Sequence, residues 1–192
     1  MALSEDIAML IVEMEANVSH LESLTHGLSD VQFNWRPEAG RWSIAECVTH
    51  LNIVNGGDLV TLESAINRGR ARNRTGEGPF SYGFLSKKFV AMMEPNTSKM
   101  KAPKLYVPPS HAGKDETVKE YRRIATELRG LAKSADGLHL GRVKTSMPAL
   151  PAALRAFVKM PLGARFHALT AHDRRHLSQA ERVRDSPDFP KS

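Results

Sequence analysis

The chain has 192 residues, 41% of them hydrophobic and 25% charged, with a formal net charge of +6 and one cysteine, Cys47. That length suits a single domain over residues 1–192 with a core of its own. The lone cysteine excludes an internal disulfide, and no apolar run is long enough to span a bilayer.

The opening MALSEDIAML carries acids where an export signal carries basic residues, so the expected compartment is the cytoplasm. Residues 4–27 place Ile7, Leu10, Ile11, Met14, Val18, Leu21 and Leu24 at steps of three and four, the period of an amphipathic helix. Ser4 is its expected N-cap and Gly27 its stop. Ser29 to Gln32 reads as a capping box on a short turn closed by Pro37. A second helix opens on another capping box, Ser43 to Glu46, with Trp42 placed as a hydrophobic staple. Its stripe is Ile44, Val48, Leu51, Asn55, Leu62 and Ile66, ending near Gly69. Gly56 and Gly57 weaken it and permit close approach of a backbone or ligand.

Residues 72–113 are punctuated by prolines and glycines, with a short amphipathic piece at 82–93, and read as an elaborated loop between helices two and three. A third long helix is predicted over 114–135, with Val118, Tyr121, Ile124, Leu128 and Leu131 on one face and Gly137 beyond its end. A short helix is expected at 149–159, and a fourth long helix from about Pro161 to Arg184. No strand alternation stands out. Four long helices, each with one apolar face, predict an all-α four-helix bundle.

Charge is unevenly spread: the first thirty residues are acidic, while Arg68, Arg70, Arg72 and Arg74 cluster, as do the lysines from Lys87 to Lys104. Aromatic residues do not interleave with the arginines, which argues against nucleic acid as a partner. The cluster reads either as a patch that attracts nucleic acid or a small polycarboxylate or as a solvated helix end, and the second reading is the expected one.

His172 and His176 stand four apart, one turn apart on the same helix face. With His172 set at zero, His176 falls about 40° away and shares the arc of Leu169, Ala180 and Val183. Both therefore point into the bundle, and His167 does not. His50 lies at the flank of the second helix's stripe and can reach a neighbouring helix. Three neutral imidazoles leave a tetrahedral ion one open position, the arrangement of catalytic zinc. Cys47, one turn from His50, is either an additional ligand or a small core residue, and the second reading fits its type better. His172-Asp173-Arg-Arg-His176 also approaches the H-E-x-x-H of zinc peptidases, but aspartate replaces the glutamate and no sheet pattern accompanies it.

Trp42-Ser43 followed by His50-Leu51, then His172-Asp-Arg-Arg-His176-Leu-Ser-Gln179, together with the middle segment Lys101-Ala-Pro-Lys104, resembles the DinB-like superfamily. The resemblance implies a four-helix bundle with a crossover connection. It also implies a divalent metal, zinc or nickel, held by His50, His172 and His176, and pairing into a homodimer. Members include S-transferases for low-molecular-weight thiols, thiol-dependent isomerases and proteins described as metal-dependent hydrolases.

Three functions follow as expectations. One is transfer of a low-molecular-weight thiol to a small electrophile, with Arg142 or Arg175 holding the cofactor's carboxylates. Another is hydrolysis, with Asp173 orienting a ligand histidine or assisting as base. The third is a non-enzymatic binding module, with structural histidines. For Arg142 and Arg175 the alternative is surface solvation or a helix pair, and for Asp173 a solvated helix position near Arg174 and Arg175.

Overall fold

The computed structural model describes residues 2–95, 97, 101–148, 153 and 157–191. Among them are six α-helices, four of them long: α1 (Glu5–Thr25), α3 (Ile44–Ala71), α5 (Lys114–Ser134) and α6 (Leu162–Arg184). The short helices are α2 (Asp30–Asn34) and α4 (Phe84–Met93), and a 3-10 turn covers Lys104–Tyr106.

Both predicted capping boxes form: Ser29 accepts from the Gln32 amide and Ser43 from the Glu46 amide, with the reciprocal bonds in place. Ser4 stands at the N-cap of α1 without a capping bond; its hydroxyl donates to Asp136 across the bundle at 2.6 Å instead. Gly27 ends α1 at φ +73° and Gly137 follows α5 at φ +78°, a region open to glycine at little cost.

The long helices form a square. α3 packs on α5 and α6, and α1 packs on the same two, so α1 and α3 occupy opposite corners. Hydrogen bonds give the directions. α3 and α5 run parallel, because Asn52 donates to the Thr117 carbonyl near their starts and Arg70 to that of Ser134 near their ends. α6 runs antiparallel to α3, with Asp58 against Arg165 and His50 against His172. α1 runs antiparallel to α5, through Glu15–Arg129 and Glu22–Arg122. Neighbours that run parallel cannot share a short loop, so residues 72–113 must return along α3, about 40 Å of helix. This is the crossover connection that the family resemblance implies.

The crossover is pinned to the bundle at intervals. The Tyr82 hydroxyl sits against Gly163, so close that a Cβ there would lie 1.9 Å from it. α4 then lies along α6. The 3-10 turn reaches α3, and Asn34 exchanges two hydrogen bonds with Ala112 at 2.9 and 3.0 Å. Gly163→Ala is expected to expel the Tyr82 ring and destabilise the protein by about 1–3 kcal/mol. A lowered melting temperature with new proteolysis near Tyr82 would show it; an unchanged melting temperature would count against the latch.

The sequence pattern missed one element. β1 (Lys144–Ser146) and β2 (Lys159–Pro161) form an antiparallel ribbon, with Thr145 opposite Met160. The short helix expected at 149–159 falls mainly outside the described residues, and its last residue, Lys159, is in β2. At three residues each, these strands are too short to show an alternation.

The core is two apolar clusters. One gathers Ile7, Leu10, Leu62, Ile66, Leu128, Leu162 and Phe166, the other Leu21, Phe33, Ile44, Val48, Leu51, Tyr121 and Leu177. Buried polar side chains of α3 and α6 lie between and beside them: His50, Asn55, Asp58, Arg165, Asp173 and His176. Gly56 meets Ile124 at an ordinary 3.5 Å and Gly57 meets nothing, so neither marks a close approach.

Candidate metal centre

His50 is placed by the start of its own helix. The capping box fixes the first turn of α3, and Arg36 grips the box's Glu46 with two bonds of 2.8 and 2.6 Å. Two turns into the helix, His50 turns its ring inward and is buried, not at the flank that the helical wheel suggests. Its Nδ1 lies 2.7 Å from the Tyr106 carbonyl oxygen. A carbonyl only accepts, so Nδ1 carries the proton and Nε2 keeps its lone pair.

That Nε2 faces Nε2 of His172 at 3.3 Å. One ligand nitrogen from each of His50, His172 and His176 can be chosen so that all lie within 4.8 Å of one another. Bonds of about 2.0–2.1 Å to a tetrahedral ion place ligand nitrogens about 3.3–3.4 Å apart. The His50–His172 separation already matches, and the third ring needs only a small adjustment. The Nδ1 atoms of His172 and His176 are buried without a hydrogen-bond partner, so nothing on that side fixes their tautomers. The donor set therefore fits a divalent cation.

Electrostatics favour the same state. Burial pushes all three imidazoles below their ordinary pKa: His176 to about 3, His172 well down, and His50 less, since its bond to Tyr106 opposes the effect. Mutual repulsion and the nearby Arg165 and Arg175 add to the shift at His172. The rings are neutral at neutral pH, so a metal need displace no proton from them. The Trp42 ring covers two of them, 4.9 Å from His50 and 5.6 Å from His176 between centroids. Read as a helix staple from sequence, Trp42 is a wall of the site. His172 alone of the three is half-buried rather than buried.

The other predicted residues are placed differently. Asp173 is no solvated residue: its carboxylate is buried and accepts from Asn55 and Tyr121, both at 2.8 Å. Burial raises its pKa to about 6, against the pull of those bonds. With both oxygens so engaged, and the Nδ1 atoms of His172 and His176 unpartnered, it orients neither ring. Arg142 lies in an exposed turn whose next residue, Val143, accepts from the Leu162 amide at 2.9 Å. That is the far end of α6, ten residues or about 15 Å of helix from His172. Arg175 donates to the Met92 carbonyl and to Thr97, holding the end of α4. Cys47 is fully buried among apolar side chains, with its thiol pKa pushed up by that burial, and stands outside the cluster. Grooves of about 440 and 570 Å³ run along the outer side of α3, past Val60, Glu63 and Asn67; none of the three histidines lines either.

Sequence reasoning missed Trp42 as a wall, the Tyr106 carbonyl as the second partner of His50, and Tyr121 as a partner of Asp173. For the Tyr106 carbonyl no side-chain signal exists.

Three neutral imidazoles from two antiparallel helices, inside a bundle with a crossover, define a metal-binding helical-bundle protein. The chain belongs to the DinB superfamily, whose sequence profile matches residues 13–180 and so spans all three histidines. No curated protein and no solved structure matches the chain. Among the described residues, no helix is long and apolar enough to cross a membrane.

Proposed function

We propose that this protein is a metal-dependent enzyme that transfers a low-molecular-weight thiol to a small electrophile. The observation that carries the reading is the one-sided enclosure of the triad. His50 and His176 are buried, Trp42 covers them, and His172 is the partly exposed member of the three. When bound, zinc or nickel supplies Lewis acidity, which favours the ionised form of a thiol or a water reaching it. His50, His172 and His176 would hold the ion and leave room for the reactant. The Trp42 ring keeps water from two of the ligands. Arg175 adds positive charge near His172 and His176, which favours an anionic reactant. Arg142 is too distant for that role, and Asp173 supports the helices instead. The reading also includes a small-molecule substrate, the reducing cytoplasm as compartment and pairing as a homodimer.

The test begins with tag-free protein loaded with zinc or nickel and assayed with several thiols and a chlorinated aromatic acceptor. Turnover that requires the thiol and disappears with a chelator supports the proposal. Thiol-independent ester cleavage that the chelator removes assigns a hydrolase instead. Failure to retain metal assigns a binding module.

An optical measurement checks the centre independently. Nickel or cobalt bound by the triad is expected to quench Trp42 emission, and Trp42→Phe to abolish the metal-dependent change while Trp35 still emits. Quenching of equal depth in Trp42→Phe would place the metal elsewhere.

A further inference from the structure

The seam between α3 and α6 carries a run of buried polar side chains among its apolar ones, which four long helices with apolar stripes do not require. Beyond His50, the next buried polar positions of α3 are Asn55 and Asp58. Asn55 donates to Asp173 at 2.8 Å, and the same carboxylate accepts from Tyr121 of α5. Asp58 receives a two-pronged grip from Arg165, at 2.8 and 2.5 Å, and both side chains are buried, at 0% and 6% exposed. Farther on, Thr145 of β1 donates to the Thr61 carbonyl at 3.2 Å. Along α3 the partners run from His172 and His176 through Asp173 to Arg165 near the start of α6, and then pass to β1. The polar partners thus form a ladder with the histidines as its outermost rung.

We propose that this ladder, above all the Asp58–Arg165 pair and the Asn55–Asp173–Tyr121 node, sets the register of α6 on α3 and so positions His172 and His176 against His50. The inference rests on the triad being a metal centre.

Buried polar pairs favour specificity over stability. A buried ion pair loses so much hydration that an apolar pair of similar volume is often as stable. An apolar seam, however, tolerates small slides and rotations of one helix on the other, since dispersion contacts are non-directional. A forked arginine–carboxylate pair fixes both the distance and the rotation of the two helices. Tyr121 ties the same carboxylate to a third helix. Ligands on two different helices need that restraint, because bonds near 2.0–2.1 Å tolerate little displacement. None of these five side chains is among the metal-ligating cluster, so they act as positioning residues.

The test separates affinity from stability. The double variant Asp58→Leu/Arg165→Met removes both charges together and leaves no lone buried ion. It is expected to melt within a few degrees of wild type yet to bind zinc or nickel at least about tenfold more weakly by calorimetry, the scale of losing a supporting residue at a metal site. If that variant does not fold, Tyr121→Phe, which deletes only the hydroxyl, is expected to remain helical with a several-fold weaker Kd. Wild-type affinity in either folded variant would overturn the proposal, and so would a lowered melting temperature with unchanged Kd. A wild-type protein that binds no metal would instead overturn the metal reading itself.

Discussion

His50→Ala is expected to strip the protein of its metal while the bundle stays folded. The other two ligands come from one helix, four residues apart, and alone give two-coordinate attachment. His50 is the one ligand from α3, its Nε2 3.3 Å from that of His172. Losing a ligand should cost more than the roughly 10–100-fold seen when a supporting residue is removed. Equilibrium dialysis against zinc or nickel should therefore find strongly reduced binding, with helical circular dichroism unchanged. His50→Gln is the paired control that keeps bulk at the position and should fail in the same way. Wild-type stoichiometry in either variant would remove the basis for the metal centre and for the enzyme reading built on it.

The metal-free protein is expected to lose stability as the solution is acidified below pH 6.5. Folding holds His176 neutral down to about pH 3, whereas the ordinary value is 6.5. Between those limits the unfolded chain binds more protons, so stability rises with pH there and falls as pH drops. At pH 5 the loss from His176 alone is about 2 kcal/mol, taking 1.36 kcal/mol per pKa unit. His172 and His50 shift in the same direction through burial and add to it. Asp173 opposes them. Its folded pKa is raised from 3.8 to about 6, so acidification to pH 5 returns about 1 kcal/mol. Three histidines against one aspartate leave a net loss. Thermal melts of chelator-treated protein should climb from pH 5 to 7.5, with a shallower climb in His176→Gln. A flat or falling profile would show that the rings are not buried as described.

Much of this architecture is legible in the sequence because its signals are local. The two capping boxes, the glycines that stop α1 and α5, and the stripes of α1, α3, α5 and α6 all lie within a few residues of what they specify. The crossover at 72–113 is also visible as a long irregular segment, though its route along α6 is not. His172 and His176 could be placed on an interior face by counting residues. What the sequence withholds is set by contacts between distant segments. The burial of Asp173 depends on Asn55 and Tyr121, which lie on other helices. Asp58 and Arg165, 107 positions apart, give no hint of each other locally. Asn55 was the one readable clue, a polar residue on an otherwise apolar stripe. Arg142 and Arg175 stand out in the sequence by charge, and charge does not say which end of a helix a turn joins or which carbonyl a guanidinium meets.

His50 and His172 stand 122 positions apart in the chain. A cation gripping both would be a removable staple across most of the polypeptide. Cross-links closing loops on the order of 100 residues restrict the unfolded chain by about 4–5 kcal/mol in the chain-entropy view. Unlike a disulfide, this staple depends on how much free ion the surroundings supply. Protein made during metal starvation would open more often and be degraded sooner. Cellular abundance would then report metal supply before any catalytic rate did.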